Sequence, residues 1–248
     1  MIVQLSDPHI GATWVEDDPV AALEAAVETA RRLCPSPDAV LVSGDLADNA
    51  ADAEYQQVRE LVGRLSAPIY PLPGNHDRRE ALRRNFDLAG YGAEPVQYAA
   101  DLGPLRLVVL DTTRPGEDAG ELDAERLRWL DAELRAHPHT PTLIAMHHPP
   151  LLTGIPAWDE IGLPNTDRRA LAEIVARHQQ VRRLVAGHLH RTMATTFAGA
   201  ALVVVPSTYV QGKLDFDARK LQLAAEPPGF AIHAMTDGEL VSHIQPVA

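Results

Sequence analysis

Cysteine is nearly absent from this chain of 248 residues, since Cys34 is the only one. A single cysteine excludes an intrachain disulfide and argues against a metal site built on thiolates. The sequence also lacks basic residues before Arg31, so we expect no secretory signal peptide, which would begin with a positively charged segment. These absences favour a cytoplasmic protein in a reducing compartment.

Long apolar runs and a positive net charge are lacking as well. The uncharged residues 141–158 contain four prolines and two histidines, whereas a membrane span needs about 20 predominantly apolar residues. The 22 Lys and Arg residues are outnumbered by 34 Asp and Glu residues, and the formal charge of −12 argues against binding duplex DNA through a broad basic face. A phosphate-bearing substrate is still compatible with this charge, because a bound cation reverses the local sign.

Short apolar runs alternate with amphipathic helical patterns from one end of the chain to the other. The first third alternates strand and helix three times, which favours a mostly parallel sheet with helices packed on it. The apolar runs predict strands at residues 1–5, 40–43, 69–72, 96–98, 105–111, 142–146, 183–186, 194–197, 201–205, 230–235 and 240–244. Helices are predicted at residues 19–33, 51–65 and 79–87, after the N-cap Asp123 and around Leu171. We predict an α/β fold with two sheets in one domain that covers residues 1–248.

Polar clusters follow five of these predicted strands. They are Asp7-Pro8-His9, Gly44-Asp45-Leu46-Ala47-Asp48, Gly74-Asn75-His76-Asp77, His147-His148-Pro149-Pro150 and Gly187-His188-Leu189-His190. In open α/β sheets, ligand sites are built beyond the carboxyl ends of the strands. The position of the clusters, more than their composition, therefore predicts a functional site.

Seven side chains in these clusters are the best candidates for metal ligands. They are Asp7, His9, Asp45, Asn75, His147, His188 and His190. Imidazole nitrogens and carboxylate oxygens without sulfur suit Mn, Fe, Zn or Co and argue against a structural zinc site. Seven ligands are too many for one ion that keeps a position open for substrate, whereas two ions that share a bridging carboxylate use them all. Two such ions can clamp an in-line displacement at phosphorus, with His76 free to act as a general acid or to bond a phosphate oxygen.

Each motif has a plainer interpretation when it is taken alone. A short motif such as Asp7-Pro8-His9 could simply be a turn. His137-Pro138-His139 has the same spacing as His188 and His190, but it follows the end of the helix that Asp123 caps, where histidine favours the helix C-terminus or is solvated. We assign no site role to this second pair. Five clusters in order, each after a strand, favour a shared site over five separate turns.

The five clusters resemble the signature of the calcineurin-like metallophosphoesterases. The matching residues extend from Met1 to about Arg191 and are Asp7-x-His9, Gly44-Asp45-x-x-Asp48, Gly74-Asn75-His76-Asp77, His147-x-Pro149 and Gly187-His188-x-His190. Three shorter motifs resemble the class III cyclic-nucleotide phosphodiesterases of that superfamily: Leu110-Asp111-Thr112-Thr113, His147-His148-Pro149-Pro150 and Glu226-Pro227-Pro228-Gly229-Phe230. The resemblance implies a four-layer αββα sandwich of two mixed β-sheets flanked by helices.

The resemblance also implies roles for the site residues. One ion would be held by Asp7, His9, Asp45 and His190 and the other by Asp45, Asn75, His147 and His188, with Asp45 bridging. A hydroxide between the ions would attack phosphorus in line, while His76 would protonate the leaving oxygen or stabilise charge on the phosphate. Asp77 would orient His76 or a neighbouring ligand. The His-x-Pro spacing selects His147 over His148, and Asp48 is expected to cap its loop or the following helix.

The identity of the substrate is set outside these motifs. We expect loops 151–165 and 206–228 to shape the pocket, with Trp158, Tyr209 and Phe216 available either to stack on an aromatic ring or to pack. Arg191 either reaches a phosphate oxygen or is a surface residue.

Three functions follow from the sequence, all on the same fold. The first is a phosphodiesterase, loaded with two ions of Mn, Fe or Zn, that hydrolyses cAMP-like cyclic nucleotides or related diesters such as glycerophosphodiesters. A phosphomonoesterase on the same site and a non-catalytic scaffold are the alternatives. The predicted partner is a small phosphodiester, with no duplex nucleic acid and no membrane span, and the sequence leaves the oligomeric state open between monomer and dimer.

Overall fold

The computed structural model describes residues 1–247. This part of the chain contains the strands β1 (Ile2–Leu5), β2 (Ala39–Ser43), β3 (Ile69–Leu72), β4 (Tyr98–Leu102), β5 (Leu105–Val109), β6 (Thr142–Ala145), β7 (Val181–Ala186), β8 (Met193–Phe197), β9 (Ala200–Val204), β10 (Gln211–Gly212), β11 (Leu223–Ala224), β12 (Gly229–Thr236) and β13 (Glu239–Pro246). Its helices are α1 (Pro19–Arg31), α2 (Asp52–Gly63), α3 (Arg79–Phe86), α4 (Ala124–Ala136), α5 (Pro156–Asp159) and α6 (Asn165–Arg177). None of these helices is both long and apolar enough to cross a membrane.

The strands form two mixed sheets and a small ribbon. The first sheet has the order β13–β12–β1–β2–β3, in which β1, β2 and β3 are parallel and β12 pairs with β1 in the antiparallel direction. The second sheet has the order β4–β5–β6–β7–β9–β8, with four parallel central strands and an antiparallel strand at each edge. The ribbon pairs β10 with β11.

The two sheets pack face to face, and helices cover their outer faces. Side chains alternate along each strand, so in β2 Leu41 joins the core between the sheets while Val40 and Val42 pack on the helical side. Leu107 of β5 and Leu143 of β6 complete the core between the sheets. Helices α1, α2 and α3 cover the first sheet, and α4 and α6 cover the second. The predicted four-layer αββα sandwich is confirmed.

This sandwich brings the five polar clusters to one edge. The first three clusters follow the parallel strands β1, β2 and β3, and the other two follow the parallel strands β6 and β7. Backbone hydrogen bonds join neighbouring loops, because the His9 N–H donates to the Asp45 carbonyl (2.9 Å) and the Gly187 N–H donates to the His147 carbonyl (3.2 Å). The clusters are therefore fixed relative to one another by the main chain as well as by their side chains.

The structure differs from the sequence prediction at residues 96–98 and at three short elements. Strand β4 begins only at Tyr98, because the Val96 N–H donates to the carboxylate of Asp111 (2.7 Å) and is not available to a neighbouring strand. Helix α5 and the β10–β11 ribbon were not predicted. The strands of the ribbon have two residues each, too few to show an alternating pattern.

A buried ion pair anchors the segment after β5 to the start of α3. The Asp111 carboxylate accepts hydrogen bonds from Arg79 Nε (2.8 Å) and from the Thr113 N–H (2.8 Å), in addition to the Val96 N–H. In Asp111→Asn the buried guanidinium loses its counter-charge, so we expect the free energy of unfolding in urea to fall by about 2–3 kcal/mol. Glu28→Gln breaks an exposed pair with Arg31 and should cost less than about 1 kcal/mol. Equal losses in the two variants would contradict the anchoring role.

Candidate metal centre

The seven predicted ligands come together at the shared edge of the two sheets. Asp45 lies in the middle, with its Oδ2 3.4 Å from His9 Nε2 and 3.3 Å from His147 Nε2. On the His9 side, His190 Nε2 lies 3.1 Å from His9 Nε2 and 3.5 Å from Asp7 Oδ1. Asp7, His9, Asp45 and His190 thus form a group whose ligand atoms all lie within 4.8 Å of one another.

Asn75 completes the other side of the centre. Its Oδ1 lies 3.1 Å from His147 Nε2 and 3.1 Å from His188 Nδ1. Asn75 is half-buried, whereas the other six candidate ligands are buried. The arrangement therefore excludes water from most of the centre and leaves access on the Asn75 side.

Each of the four histidines uses its second ring nitrogen for a contact that points away from the centre. His9 Nδ1 lies 3.2 Å from the Asp48 carboxylate. The other three histidines face backbone carbonyls. His147 Nδ1 lies 2.9 Å from the Ser43 carbonyl oxygen, His188 Nε2 lies 3.1 Å from the Ile161 carbonyl oxygen, and His190 Nδ1 lies 2.9 Å from the Val210 carbonyl oxygen. Carboxylates and carbonyls only accept, so the outer nitrogen carries the ring proton and the inner nitrogen of each neutral ring presents a lone pair.

When the rings are neutral, the inner surface of the centre is consequently lined by acceptors that face one another. His9 Nε2 and His190 Nε2 are 3.1 Å apart, and in the neutral rings neither carries a proton. Two lone pairs at this distance repel each other, and a cation between them removes the repulsion. Outer hydrogen bonds of this kind are the usual support of metal-binding histidines. The donor set therefore fits metal ions that take nitrogen and oxygen ligands, such as Mn, Fe or Zn.

Burial and the carboxylates set the protonation of the centre. Burial lowers the pKa of His190 to about 4 and the pKa of His188 well below its usual range, so both rings are neutral at pH 7. Burial also opposes a charge on His147, but the Asp45 carboxylate outweighs it and raises the pKa of His147 to about 9. In the metal-free protein, a proton on His147 therefore neutralises the negative charge of Asp45, as a bound cation would.

The loops that carry the ligands adopt backbone conformations that most residues avoid. Five candidate ligands have φ between 44° and 69°: Asp7, His9, Asp45, His188 and His190. Such strain persists only where the surroundings enforce it, and it concentrates at functional sites. Gly44, at φ 98°, makes room for His147, since a Cβ at this position would lie 2.1 Å from His147 Nδ1.

His148 is buried beside His147 but has no lone pair for a metal. Its Nε2 lies 3.0 Å from the Asp118 carbonyl and its Nδ1 lies 2.9 Å from the Thr112 hydroxyl. The carbonyl requires a proton on Nε2, so the hydroxyl donates to Nδ1 and both nitrogens are used. Burial, together with the charge on His147, lowers the pKa of His148 to about 3. The geometry thus agrees with the choice of His147 from the His-x-Pro spacing.

Asp48 does not cap its loop or helix α2, contrary to the sequence expectation. Its N–H donates to the Ile10 carbonyl (2.9 Å), which fixes the residue beside the loop of His9. From there its carboxylate lies 3.2 Å from His9 Nδ1 and 3.2 Å from His76 Nδ1. Glu54 makes the capping contacts with the loop backbone instead. Asp48 therefore orients two imidazoles at once.

His76 is the one imidazole of the clusters that stands beside the ligands and is open to solvent, with 30% of its side chain exposed. Its Nδ1 faces Asp48, which leaves Nε2 for a group in the cavity. Burial opposes a charge on the ring, but the Asp45 carboxylate outweighs it and raises the pKa of His76 above its ordinary value. The ring is therefore suited to donate a proton.

Asp77 supports the loop of a neighbouring ligand, Asp45, and does not orient His76; these were the two roles expected for it. Its carboxylate accepts hydrogen bonds from the N–H groups of Leu46 (3.2 Å), Ala47 (3.2 Å) and Gly74 (2.9 Å). It thus holds the loop that carries Asp45, and it makes no hydrogen bond to the His76 ring. Asp77 is therefore a positioning residue for the Asp45 loop. Burial, reinforced by the charge of Asp45, raises the pKa of Asp77 to about 6.

A cavity of about 350 Å³ opens over the ligands. Apart from the ligands it is lined by Trp14, His76, Asp118, Trp158, Ile161, Leu221 and Leu223. The centroid of the Trp14 ring lies 4.3 Å from that of His9, and Trp14 is 41% exposed. Trp158 stands on the other side, with its ring centroid 6.0 Å from that of His188. The cavity therefore has largely apolar walls around a polar floor.

The sequence identified only part of this wall. Of the three aromatic residues for which stacking on a substrate and packing were both left open, Trp158 lines the cavity. Tyr209 is buried with its hydroxyl donating to the Asp17 carbonyl (3.1 Å), and Phe216 is exposed outside the cavity. Arg191 donates to Glu226 (3.0 Å) and is not among the cavity residues. Ile161, Leu221 and Leu223 lie in the two loops that were expected to shape the pocket, although no motif singles them out, whereas Trp14 lies outside both loops and was missed.

Comparison with known proteins agrees with the site. Residues 1–192 match the family described as calcineurin-like phosphoesterase. The chain is 32% identical over 255 residues to a 3′,5′-cyclic adenosine monophosphate phosphodiesterase of Pseudomonas aeruginosa, a match that covers 100% of this chain and 90% of that protein. It is also 32% identical over 211 residues to a glycerophosphodiester phosphodiesterase of Enterobacter lignolyticus, which covers 84% of this chain and 75% of that protein.

A solved structure shares the fold. A dimetal phosphatase from Danio rerio aligns with a TM-score of 0.70 at 18% identity, covering 100% of this chain and 96% of that one. The fold, the five clusters and the sequence match lead to the same assignment. The chain belongs to the calcineurin-like phosphoesterase family of hydrolases, which uses a dinuclear metal site.

Proposed function

We propose that this protein is a dinuclear metal-dependent phosphodiesterase that hydrolyses cyclic nucleotides of the cAMP type or related small diesters. The observation that carries the proposal is the set of imidazole nitrogens that converge on Asp45 under a cavity with apolar walls. The relatives named as cyclic-nucleotide and glycerophosphodiester phosphodiesterases support the choice of a diester.

Two groups of ligands share Asp45 in this proposal. Asp7, His9, Asp45 and His190 hold one ion, and Asp45, Asn75, His147 and His188 hold the other. The position of Asp45 Oδ2, at 3.4 Å from His9 Nε2 and 3.3 Å from His147 Nε2, supports its role as the bridge. The metals proposed are Mn, Fe or Zn, in keeping with nitrogen and oxygen donors and the absence of thiolate.

The remaining residues act on the substrate and on the ligands. The chemistry that two divalent ions supply here is neutralisation of the phosphate charge and a nucleophile at neutral pH. His76 donates a proton to the leaving oxygen or a hydrogen bond to the phosphate, with its ring held by Asp48. Asp77 keeps the loop of Asp45 in place through its three backbone contacts.

The walls of the cavity favour a diester over a monoester. A monoester carries up to two negative charges at neutral pH and a diester only one, and no Lys or Arg side chain of residues 1–247 lines this cavity. Trp14, Trp158 and Leu223 instead offer apolar surface to the alcohol part of the substrate. A nucleobase fits these walls better than glycerol does.

The proposal is tested with chelator-treated protein, assayed with and without added Mn²⁺. We expect bis(p-nitrophenyl) phosphate to be cleaved faster than p-nitrophenyl phosphate, and both activities to disappear when metal is withheld. A preference for the monoester would assign the site to a phosphatase. No turnover of either compound with two ions bound would favour a binding role. His137→Ala, at the end of α4, serves as the control and should not change the rates.

The setting of the enzyme is part of the same proposal. Residues 1–248 form one domain in this proposal, because the proposed ligands come from both sheets. A reducing, cytoplasmic location is supported by the lone free cysteine, which is exposed.

A further inference from the structure

A second cavity meets the first at the edge of the metal centre. It measures about 400 Å³ and is lined in part by Asn75 and His76, which also line the first cavity. The two cavities therefore adjoin each other at these two residues. A diester bound beside Asn75 and His76 adjoins both cavities, so each cavity is available to one of its two alcohol groups.

The walls of the second cavity differ in kind from those of the first. Three arginines line it, Arg78, Arg79 and Arg114, whereas none lines the first cavity. Arg79 is fully used, since it donates to the Asp111 carboxylate and to the carbonyls of Ala93 and Thr113. Within residues 1–247 the guanidinium groups of Arg78 and Arg114 donate no hydrogen bond.

The acidic neighbours do not neutralise these two arginines. Glu117 approaches Arg114 only to 4.0 Å, and both side chains are more than half exposed, so this pair contributes little. Glu80 lines the cavity, but its carboxylate lies close to Gly92, where an added Cβ would come within 3.7 Å of Oε1. The carboxylate of Asp77 is occupied by backbone N–H groups. The cavity thus presents two available guanidinium groups in a protein whose formal charge is −12.

We propose that the second cavity binds a second phosphate group on the substrate, so that the preferred substrates are linear diesters with one aromatic arm and one phosphorylated arm. This inference rests on the proposed phosphodiesterase function and specifies its substrate class. Two guanidinium groups match the charge and the acceptor geometry of a terminal phosphate. The aromatic arm lies between Trp14 and Trp158 in the first cavity. A 3′,5′-cyclic nucleotide carries both ester oxygens on one ribose, so it occupies one cavity and leaves the other empty.

Hydrolysis of such a substrate is an ordinary diester cleavage. Water supplies the new P–O bond, the P–O bond to one arm breaks, and the departing oxygen takes up a proton. The contact with the second phosphate is remote from the reacting atoms. It therefore contributes binding and orientation without altering the chemical step.

The experiment compares two dinucleotides that differ by one phosphate. The deoxydinucleotide d(ApA) and its 5′-phosphorylated form d(pApA) are assayed with the Mn²⁺-loaded protein, with bis(p-nitrophenyl) phosphate as the reference substrate. We expect kcat/KM for d(pApA) to exceed that for d(ApA) by roughly tenfold or more, the effect of a charge-assisted contact. The double variant Arg78→Gln/Arg114→Gln should bring this ratio close to one.

A matched variant controls for the loss of two positive charges. Arg128→Gln/Arg182→Gln removes two exposed arginines that line neither cavity, and it should keep the wild-type ratio. A ratio near one in the wild type, or a ratio that survives the Arg78/Arg114 variant, overturns the inference and leaves the phosphodiesterase function standing. Cleavage of the reference compound without cleavage of either dinucleotide likewise overturns the inference and leaves the phosphodiesterase function standing. If the reference compound is not cleaved, the proposed function fails and the inference fails with it.

Discussion

Asn75→Ala should lower kcat on a diester by about 100-fold or more while leaving the fold intact. The amide oxygen of Asn75 lies 3.1 Å from both His147 Nε2 and His188 Nδ1, which is why we propose it as the neutral member of the second ligand group. Losing this oxygen lowers the affinity for one of the two ions. A two-ion clamp contributes several kcal/mol to transition-state stabilisation. Without metal, the side chain contributes at most one hydrogen bond, from His147. The free energy of unfolding of the metal-free protein should therefore change by no more than about 1 kcal/mol.

Two measurements separate the effect on the metal from the effect on the fold. Elemental analysis after dialysis against limiting Mn²⁺ should find two ions in the wild type and close to one in Asn75→Ala. The melting temperature should rise on adding Mn²⁺ to the wild type, and rise less in the variant, because a ligand stabilises the folded state according to its affinity. Asn165→Ala, an exposed asparagine at the start of α6, is the control and should behave as the wild type. Two tightly held ions in Asn75→Ala would remove Asn75 from the ligand set.

The placement of the clusters could be predicted from the sequence because it depends on local pattern and on one rule of topology. Short apolar runs marked the strands that precede Asp7, Asp45, Asn75, His147 and His188, and the carboxyl ends of parallel strands share an edge. The final hairpin was equally local, since Asp237 and Gly238 at its turn have the positive φ values, 49° and 82°, that its residue types favour. These features need no knowledge of distant contacts.

The surroundings of the ligands could not be predicted in the same way. Asp48 follows a strand and precedes a helix, which is the usual place of a capping residue, and its contacts with His9 and His76 depend on the path of a different loop. Trp14 lies between β1 and α1 without a periodic pattern, so its position over His9 follows from the tertiary fold alone. Leu223 reaches the cavity through a ribbon of two-residue strands. Side chains that act through contacts distant in sequence leave no local signal.

Residues outside the ligand motifs carry the substrate selectivity that we propose. The ligands and their outer hydrogen bonds explain hydrolysis of a phosphate ester in general. In these proposals the apolar wall with Trp14 and the cavity with Arg78 and Arg114 decide which ester fits. Substitutions in the walls should therefore change the relative rates on different diesters, whereas substitutions among the ligands should lower all rates together.

His76→Ala should keep both ions and lose turnover, in contrast to Asn75→Ala. His76 lines the cavity with Nε2 free and contacts the ligands only through backbone and ring edges, so elemental analysis should still find two ions. General acid catalysis is worth about 10²–10⁴-fold, and its value rises as the leaving alcohol becomes more basic. We expect kcat on an alkyl diester such as d(ApA) to fall within that range. The loss on bis(p-nitrophenyl) phosphate should be smaller, because nitrophenolate departs without a proton.

The dependence on the leaving group decides between the two roles that His76 can take. Proton donation to the leaving oxygen gives a loss that grows with the basicity of the alcohol, whereas a hydrogen bond to the phosphate gives the same loss on every diester. His76→Gln keeps a donor of similar reach without an acidic proton, so it should restore activity in the second case and not in the first. His137→Ala again provides the control, at a histidine 37% exposed beside Glu133. If His76→Ala cleaved the alkyl diester at the wild-type rate, both roles of His76 would be excluded, and catalysis would depend on the metal ligands alone.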